Sequence, residues 1–104
     1  MGGQLAIAKL LGANPVCTNP ATCSTALNSP VPESWHYSYG HWVEDDPTTG
    51  DGAFSSPGAF GFYPWISADR RYYGIVVRHA TEGAWSSVQC GRQIRASWIA
   101  QHAQ

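Results

Sequence analysis

Charge is what this sequence has least of. Asp, Glu, Lys and Arg together make 12% of its 104 residues, where an ordinary soluble domain carries about 25%. Lysine occurs once, at Lys9, and the formal net charge is −1. Six basic side chains in a near-neutral chain leave no electrostatic footprint for nucleic acid or for an anionic membrane surface. No apolar run approaches the roughly 20 residues that span a bilayer. Met1 is followed by Gly2 and Gly3 with no basic segment, and Lys9 interrupts the apolar stretch. The start of the chain therefore does not read as a signal peptide.

Aromatic rings are abundant instead: five Trp, five Tyr and three Phe. Low charge with many rings excludes intrinsic disorder, and the length permits a single unit. A domain of this size buries about two-thirds of its unfolded surface, and each ring needs about 150–250 Å² of cover. The rings either fill a compact core or leave a large apolar face, and such faces mark interfaces.

Cysteine is scarce. Cys17 and Cys23 flank a Pro- and Thr-rich stretch, where a loop disulfide is plausible and implies an oxidising compartment. That points to a secreted or periplasmic parent protein, with Met1 not the natural start of the whole. The spacing has no zinc-ligand character, and no second Cys/His pair accompanies it. Neither a metal nor any other cofactor is expected. Cys90 falls within a helical pattern and reads as a small buried apolar residue.

Along the chain, Gln4 to Leu11 reads as a short helix stopped by Gly12, so residues 1–12 form the first element. Residues 13–34 hold four prolines and form a long loop. Residues 35–104 carry a sheet and a final helix. Strands are expected at Trp35–Val43, about Pro57–Ile66 and Tyr72–His79, the last two joined by a tight turn at Ser67–Arg71. The expected fold is therefore α+β: a three-stranded antiparallel sheet, a short N-terminal helix and a longer C-terminal helix. In that last helix Ser86 and Gln89 read as a capping box and Trp85 with Cys90 as a hydrophobic staple. Cys90, Ile94 and Trp98 repeat at four-residue spacing as the core-facing stripe. Both sheet faces are apolar, and two helices do not cover both.

The middle strand is chemically unusual. Pro57 donates no ladder bond, and Gly58 and Gly61 remove side chains where a ligand or another backbone can approach. An edge of this kind can pair with an extended ligand or aim an N–H at a developing oxyanion; an ordinary bulged edge beside a turn accounts for the same residues.

Three segments carry a resemblance: Tyr39-Gly40-His41-Trp42-Val43-Glu44, Gly58-Ala59-Phe60-Gly61-Phe62-Tyr63-Pro64-Trp65-Ile66, and Asp69-Arg70-Arg71-Tyr72-Tyr73-Gly74-Ile75-Val76-Val77. Over about residues 35 to 100 the chain resembles the C-terminal portion of serine beta-lactamase-like hydrolases, the family of class C beta-lactamases, penicillin-binding proteins and related esterases. The resemblance implies that Ser56-Pro57-Gly58 stands at the family's Lys- or His-x-Gly motif. Ala59, after the glycine, would then lend its backbone N–H to an oxyanion hole. Ser56 replaces the usual Lys or His and Pro57 the usual Ser or Thr, which implies esterase-like specificity or a degenerate site. The family's Ser-x-x-Lys nucleophile motif is absent: the residue three before Lys9 is Ala6. No Tyr-x-Asn element occurs, since Tyr37-Ser38-Tyr39 and Tyr39-Gly40-His41 do not match. The expectation is part of a larger domain, inactive alone, whose partner is the missing N-terminal part of the hydrolase. The alternative is a small secreted aromatic-rich module that binds a partner or self-associates without catalysis.

Other clusters weigh less. His36 and His41 with Glu44, Asp45 and Asp46 resemble a metal set only superficially, since strand alternation puts the two His on opposite faces. Asp45 to Asp51 lacks the calcium-loop pattern and reads as a solvated turn. Arg92 and Arg95 read as surface residues on the polar side of the last helix; Arg78 and His79 end a strand and could face the cleft, with nothing to fix their role.

Overall fold

The computed structural model describes residues 16–17 and 29–102. A meander of antiparallel strands runs in chain order: β1 (Val16–Cys17), β2 (His36–Ser38), β3 (His41–Val43), β4 (Phe54–Ser55), β5 (Tyr63–Ile66) and β6 (Tyr73–Val76). Five of these lie between His36 and Val76, and two-residue β1 pairs with the β2 edge. One helix, α1 (Trp85–His102), follows. The class is α+β, but the three-stranded sheet expected from the sequence is incorrect. The expected N-terminal helix, most of the loop to residue 28 and the Cys17–Cys23 pairing lie outside the described residues.

Two local causes split the expected strands. Ser38 pairs with His41, so Tyr39 and Gly40 form a two-residue hairpin loop. Both have positive φ, 42° and 97°, the backbone that a tight hairpin matching strand twist requires. What reads as one ring-rich strand is therefore two, β2 and β3. In the second case the Pro57–Ile66 stretch contributes only its end, β5, to the sheet. Gly58 N–H donates to Phe62 O at 2.7 Å, Gly61 N–H donates to Gly58 O at 3.0 Å, and Gly61 sits at φ 98°. Residues 56–62 are the loop from β4 to β5. The β5–β6 hairpin and its Ser67–Arg71 turn form as the sequence predicts, with Ser67 N–H bonded to Tyr72 O at 2.9 Å.

The helix begins earlier than its capping box indicates. Val88 N–H donates to Ala84 O at 3.0 Å, so Ala84 holds the cap position and Ser86 lies within the first turn. Trp85 is helical rather than a residue ahead of the cap. The inward side of α1 is Ser87, Val88, Gly91 and Arg95, whereas Cys90, Ile94 and Trp98 are exposed. The core-facing stripe read from apolar spacing is thus on the wrong side. Gly91 explains the seating: a Cβ there would lie 2.5 Å from Tyr63 Cε2 and 3.2 Å from Val76 Cγ2. The helix lies so close to the sheet that a ring fills the space a side chain would need. Val31, Trp35, Tyr63, Trp65 and Val88 form the core, with Trp42, Tyr72, Val76 and Trp85 packed around it.

Candidate functional site

The residues singled out by the resemblance lie where β4 runs into its loop. Ser56 is exposed, and its N–H donates to Pro64 O at 3.2 Å, the last bond of the β4–β5 ladder. Pro57 and Gly58 follow, and Gly58 N–H is used inside the loop. Ala59 sits exposed at the tip, and its N–H has no acceptor among the described residues. The tip is tied down from the far side. Ala80 N–H donates to Phe60 O at 2.8 Å, and the Phe60 ring lies 5.2 Å from that of His79. Arg78 stands behind Gly61: its Nη1 donates to Ser87 Oγ at 3.1 Å and Gly83 O at 3.3 Å, and its Nη2 meets Glu82 at 3.0 Å. Arg78 therefore holds the connection from β6 to α1 and does not face an open cleft. The N–H groups of Ala59, Phe60 and Phe62 have no acceptor among the described residues, and no lysine stands among the described residues.

Beside this loop lies an apolar trough of about 520 Å³, walled by His41, Phe54, Pro64, Ile66, Tyr73 and Ile75 among others. Ser55 also lines it, almost fully buried, with no hydrogen-bond partner for Oγ. The His41 imidazole packs edge-on to Phe54 at 5.6 Å, and its Nε2 is buried without a partner. Burial accordingly depresses the His41 pKa, because a desolvated imidazole resists taking a proton.

His36 and His41 occupy the same sheet face, contrary to the sequence reading, because the Tyr39–Gly40 turn resets the alternation: His36 and Ser38 share a face, and Ser38 pairs with His41. They do not converge. His36 Nδ1 lies 2.6 Å from Asp45 Oδ2, while His41 turns to Phe54. Among the described residues no three His, Cys, Asp or Glu side chains gather as a metal-binding group.

The largest error of sequence reading concerns the two arginines. Arg95 is fully buried and Arg92 partly so. Arg95 Nη2 donates to Glu44 Oε2 and Asp51 Oδ1, both at 3.0 Å, and its Nε to Asp51 Oδ2 at 2.6 Å. Its Nη1 donates to Tyr63 Oη at 3.0 Å, and the Tyr63 hydroxyl in turn donates to Glu44. Arg92 spans Glu33, at 2.8 and 3.0 Å, and Glu44 at 3.0 Å. Burial works against the Arg95 charge, but its bonds to Asp51 and the charge of Glu44 prevail and raise its pKa. Burial and the neighbouring Glu44 carboxylate push the Tyr63 phenol well above its ordinary value, so it stays a neutral donor. The signal for this cluster was an acid, Glu44, directly after the apolar Trp42-Val43 pair, where a buried carboxylate demands cations.

No protein-family model, curated protein or solved structure matches this chain. Among the described residues, no helix is long and apolar enough to cross a membrane.

Proposed function

We propose that this chain carries the oxyanion-side strand and final helix of a beta-lactamase-like serine hydrolase, which cleaves esters or lactams through an acyl-enzyme, and that it turns over no substrate by itself. One observation supports the reading: the motif-like Ser56-Pro57-Gly58 leads from β4 into a hydrogen-bonded turn at whose exposed tip the Ala59 N–H has no acceptor among the described residues. A preorganised backbone donor of this kind is what stabilises a tetrahedral oxyanion. The nucleophile and its lysine come from a companion polypeptide region bearing Ser-x-x-Lys. The companion covers the apolar surface around the trough, and the Cys17–Cys23 spacing supports a secreted or periplasmic parent.

The test is reconstitution of a chromogenic ester and a lactam assay with a Ser-x-x-Lys polypeptide encoded beside this chain. The complex is expected to turn over substrate. Ala59→Pro, which removes the N–H, should lower kcat by about 100- to 1,000-fold. Turnover by this chain alone that survives Ser56→Ala would overturn the reading.

A second reading, a non-catalytic module that self-associates, is favoured by one specific observation. Tyr73, Ile75, Val77, Ile94 and Trp98 are all exposed together at one end of the sheet.

A further inference from the structure

β6 closes the sheet on the side remote from β1, and the hydrogen-bond pattern shows which of its groups are spare. Pro64 has no N–H, and its carbonyl accepts from Ser56 on the β4 side. Alternation then turns the backbone groups of Tyr63 and Trp65 toward β6, onto their partners Val76 and Gly74. The same alternation agrees with Ser67 N–H bonding to Tyr72 O. The N–H and C=O groups of Tyr73 and Ile75 therefore point away from the sheet, and no partner meets them among the described residues.

Natural edges of this kind are blunted by lysine, proline or a bulge. This one has none: Tyr72-Tyr73-Gly74-Ile75-Val76-Val77 is uncharged and rich in β-branched and aromatic residues. Its side chains are also uncovered, with Tyr73 82%, Ile75 54% and Val77 80% exposed. On the opposite face, Ile94 and Trp98 of α1, 54% and 48% exposed, border a hollow of about 210 Å³ shared with Gly74 and Val76.

We infer that a second copy of this chain pairs here, β6 to β6 and antiparallel, about a two-fold axis through Ile75. The inference sharpens the self-association reading to one strand. It is carried by self-complementarity. With spare backbone groups at residues 73 and 75, an axis at Ile75 sets Ile75 opposite its own copy and Tyr73 opposite Val77. Every cross-strand pair on that face is then apolar, and no like charges meet. The same axis brings both copies of Ile94 and Trp98 to the flanks of the new pair. The new strand pair lays the Tyr73, Ile75 and Val77 side chains of the two copies against one another across the axis and extends the sheet beneath Ile94 and Trp98 on its other face. An isologous contact of this kind closes as a dimer instead of growing into a fibre.

Light scattering coupled to size exclusion, from low-micromolar to near-millimolar protein, is expected to show a mass rising to twice 11.3 kDa. Amide exchange should slow at Tyr73 and Ile75 as the dimer fills. Ile75→Lys sets two cations face to face on the axis and should weaken association at least about tenfold. Trp98→Ser should weaken it less, and Tyr39→Lys, at a distant exposed ring, should leave it unchanged. Circular dichroism of each variant checks that it folds. A monomer at every concentration overturns both this inference and the self-association reading. A dimer that ignores Ile75→Lys and leaves the two amides exchanging freely overturns only the β6 contact. Protection of those amides by the Ser-x-x-Lys companion, with the chain alone monomeric, would overturn a second copy as the occupant.

Discussion

The two sides of α1 are inverted relative to an ordinary surface helix. The inward side carries Ser87, Val88, Gly91 and Arg95, while the outward side carries Cys90, Ile94 and Trp98. Apolar periodicity normally marks the buried stripe, yet here the opposing sheet surface decides. It presents the Tyr63 ring, which needs a neighbour without a side chain, and the fully buried Glu44, which needs a cation. Gly91 and Arg95, four residues apart, supply both. The side a helix buries follows from what the facing surface demands, and an apolar stripe left outside is a surface still to be covered.

The largest effect should come from breaking the inward side at its charge. Arg95→Ala leaves Glu44, Asp51 and the Tyr63 hydroxyl without their shared donor, and Arg92 is then the one cation still on Glu44, beside the Tyr63 hydroxyl. Removing one partner of a buried ion pair costs about 3–5 kcal/mol. The outward counterpart, Ile94→Ala, should change stability by no more than about 0.5 kcal/mol. Urea midpoints of the two variants measure the contrast directly. Equal midpoints would mean that the two sides do not differ energetically.

Much of this contrast could not be read in advance. The presence of a final helix and of the β5–β6 hairpin was legible, because period and turn residues are local signals, although the helix starts at Trp85 rather than after a Ser86 cap. The facing of α1 was not, since Arg92 and Arg95 earn an inward place only through Glu44 and Asp51, more than 40 residues earlier. The β2–β3 turn was missed for a different reason. Tyr39 at positive φ is rare for a bulky side chain, so Tyr39-Gly40 lacks the usual Asn-Gly signature of a two-residue hairpin. In the candidate site, Ser56, Gly58 and Ala59 were legible as a special backbone stretch, but as strand; residues 58–62 instead close on themselves through Gly58–Phe62 and Gly61–Gly58 bonds, and Ala80, 20 residues on, holds Phe60 O.

A smaller effect should come from the point of closest approach. Gly91→Ala adds a Cβ within 2.5 Å of the Tyr63 ring. Overpacking costs about 1–3 kcal/mol, while alanine's helix propensity returns about 1 kcal/mol. The expected net change is a modest loss of stability, accompanied by a changed near-ultraviolet circular dichroism signal as Tyr63 shifts. Gln93→Ala, on the exposed side of the same helix, should be neutral. A Gly91→Ala chain more stable than the parent would show that helix and sheet do not need the close contact.

The smallest effect should come from acid, which reaches the inward side through Glu33. Burial alone would raise the Glu33 pKa, but hydrogen bonds from Arg92, Thr49 and Trp35, with the charge of Arg92, bring it below the ordinary value of 4.5. The unfolded chain therefore takes up the proton first as pH falls. Stability from this group is complete above about pH 4.5 and declines as pH drops through the lower folded value. Asp46, which accepts from Ser34, Thr48 and Thr49, is depressed in the same direction and steepens the decline. Arg92→Gln takes the cation from Glu33, and from Glu44, which keeps Arg95. Without that cation, burial acts on Glu33 with less to oppose it, so urea midpoints from about pH 7 to about pH 3 should fall less steeply than in the parent chain. An unchanged slope would mean that the Arg92–Glu33 pair does not link the inward side of α1 to the segment before β2.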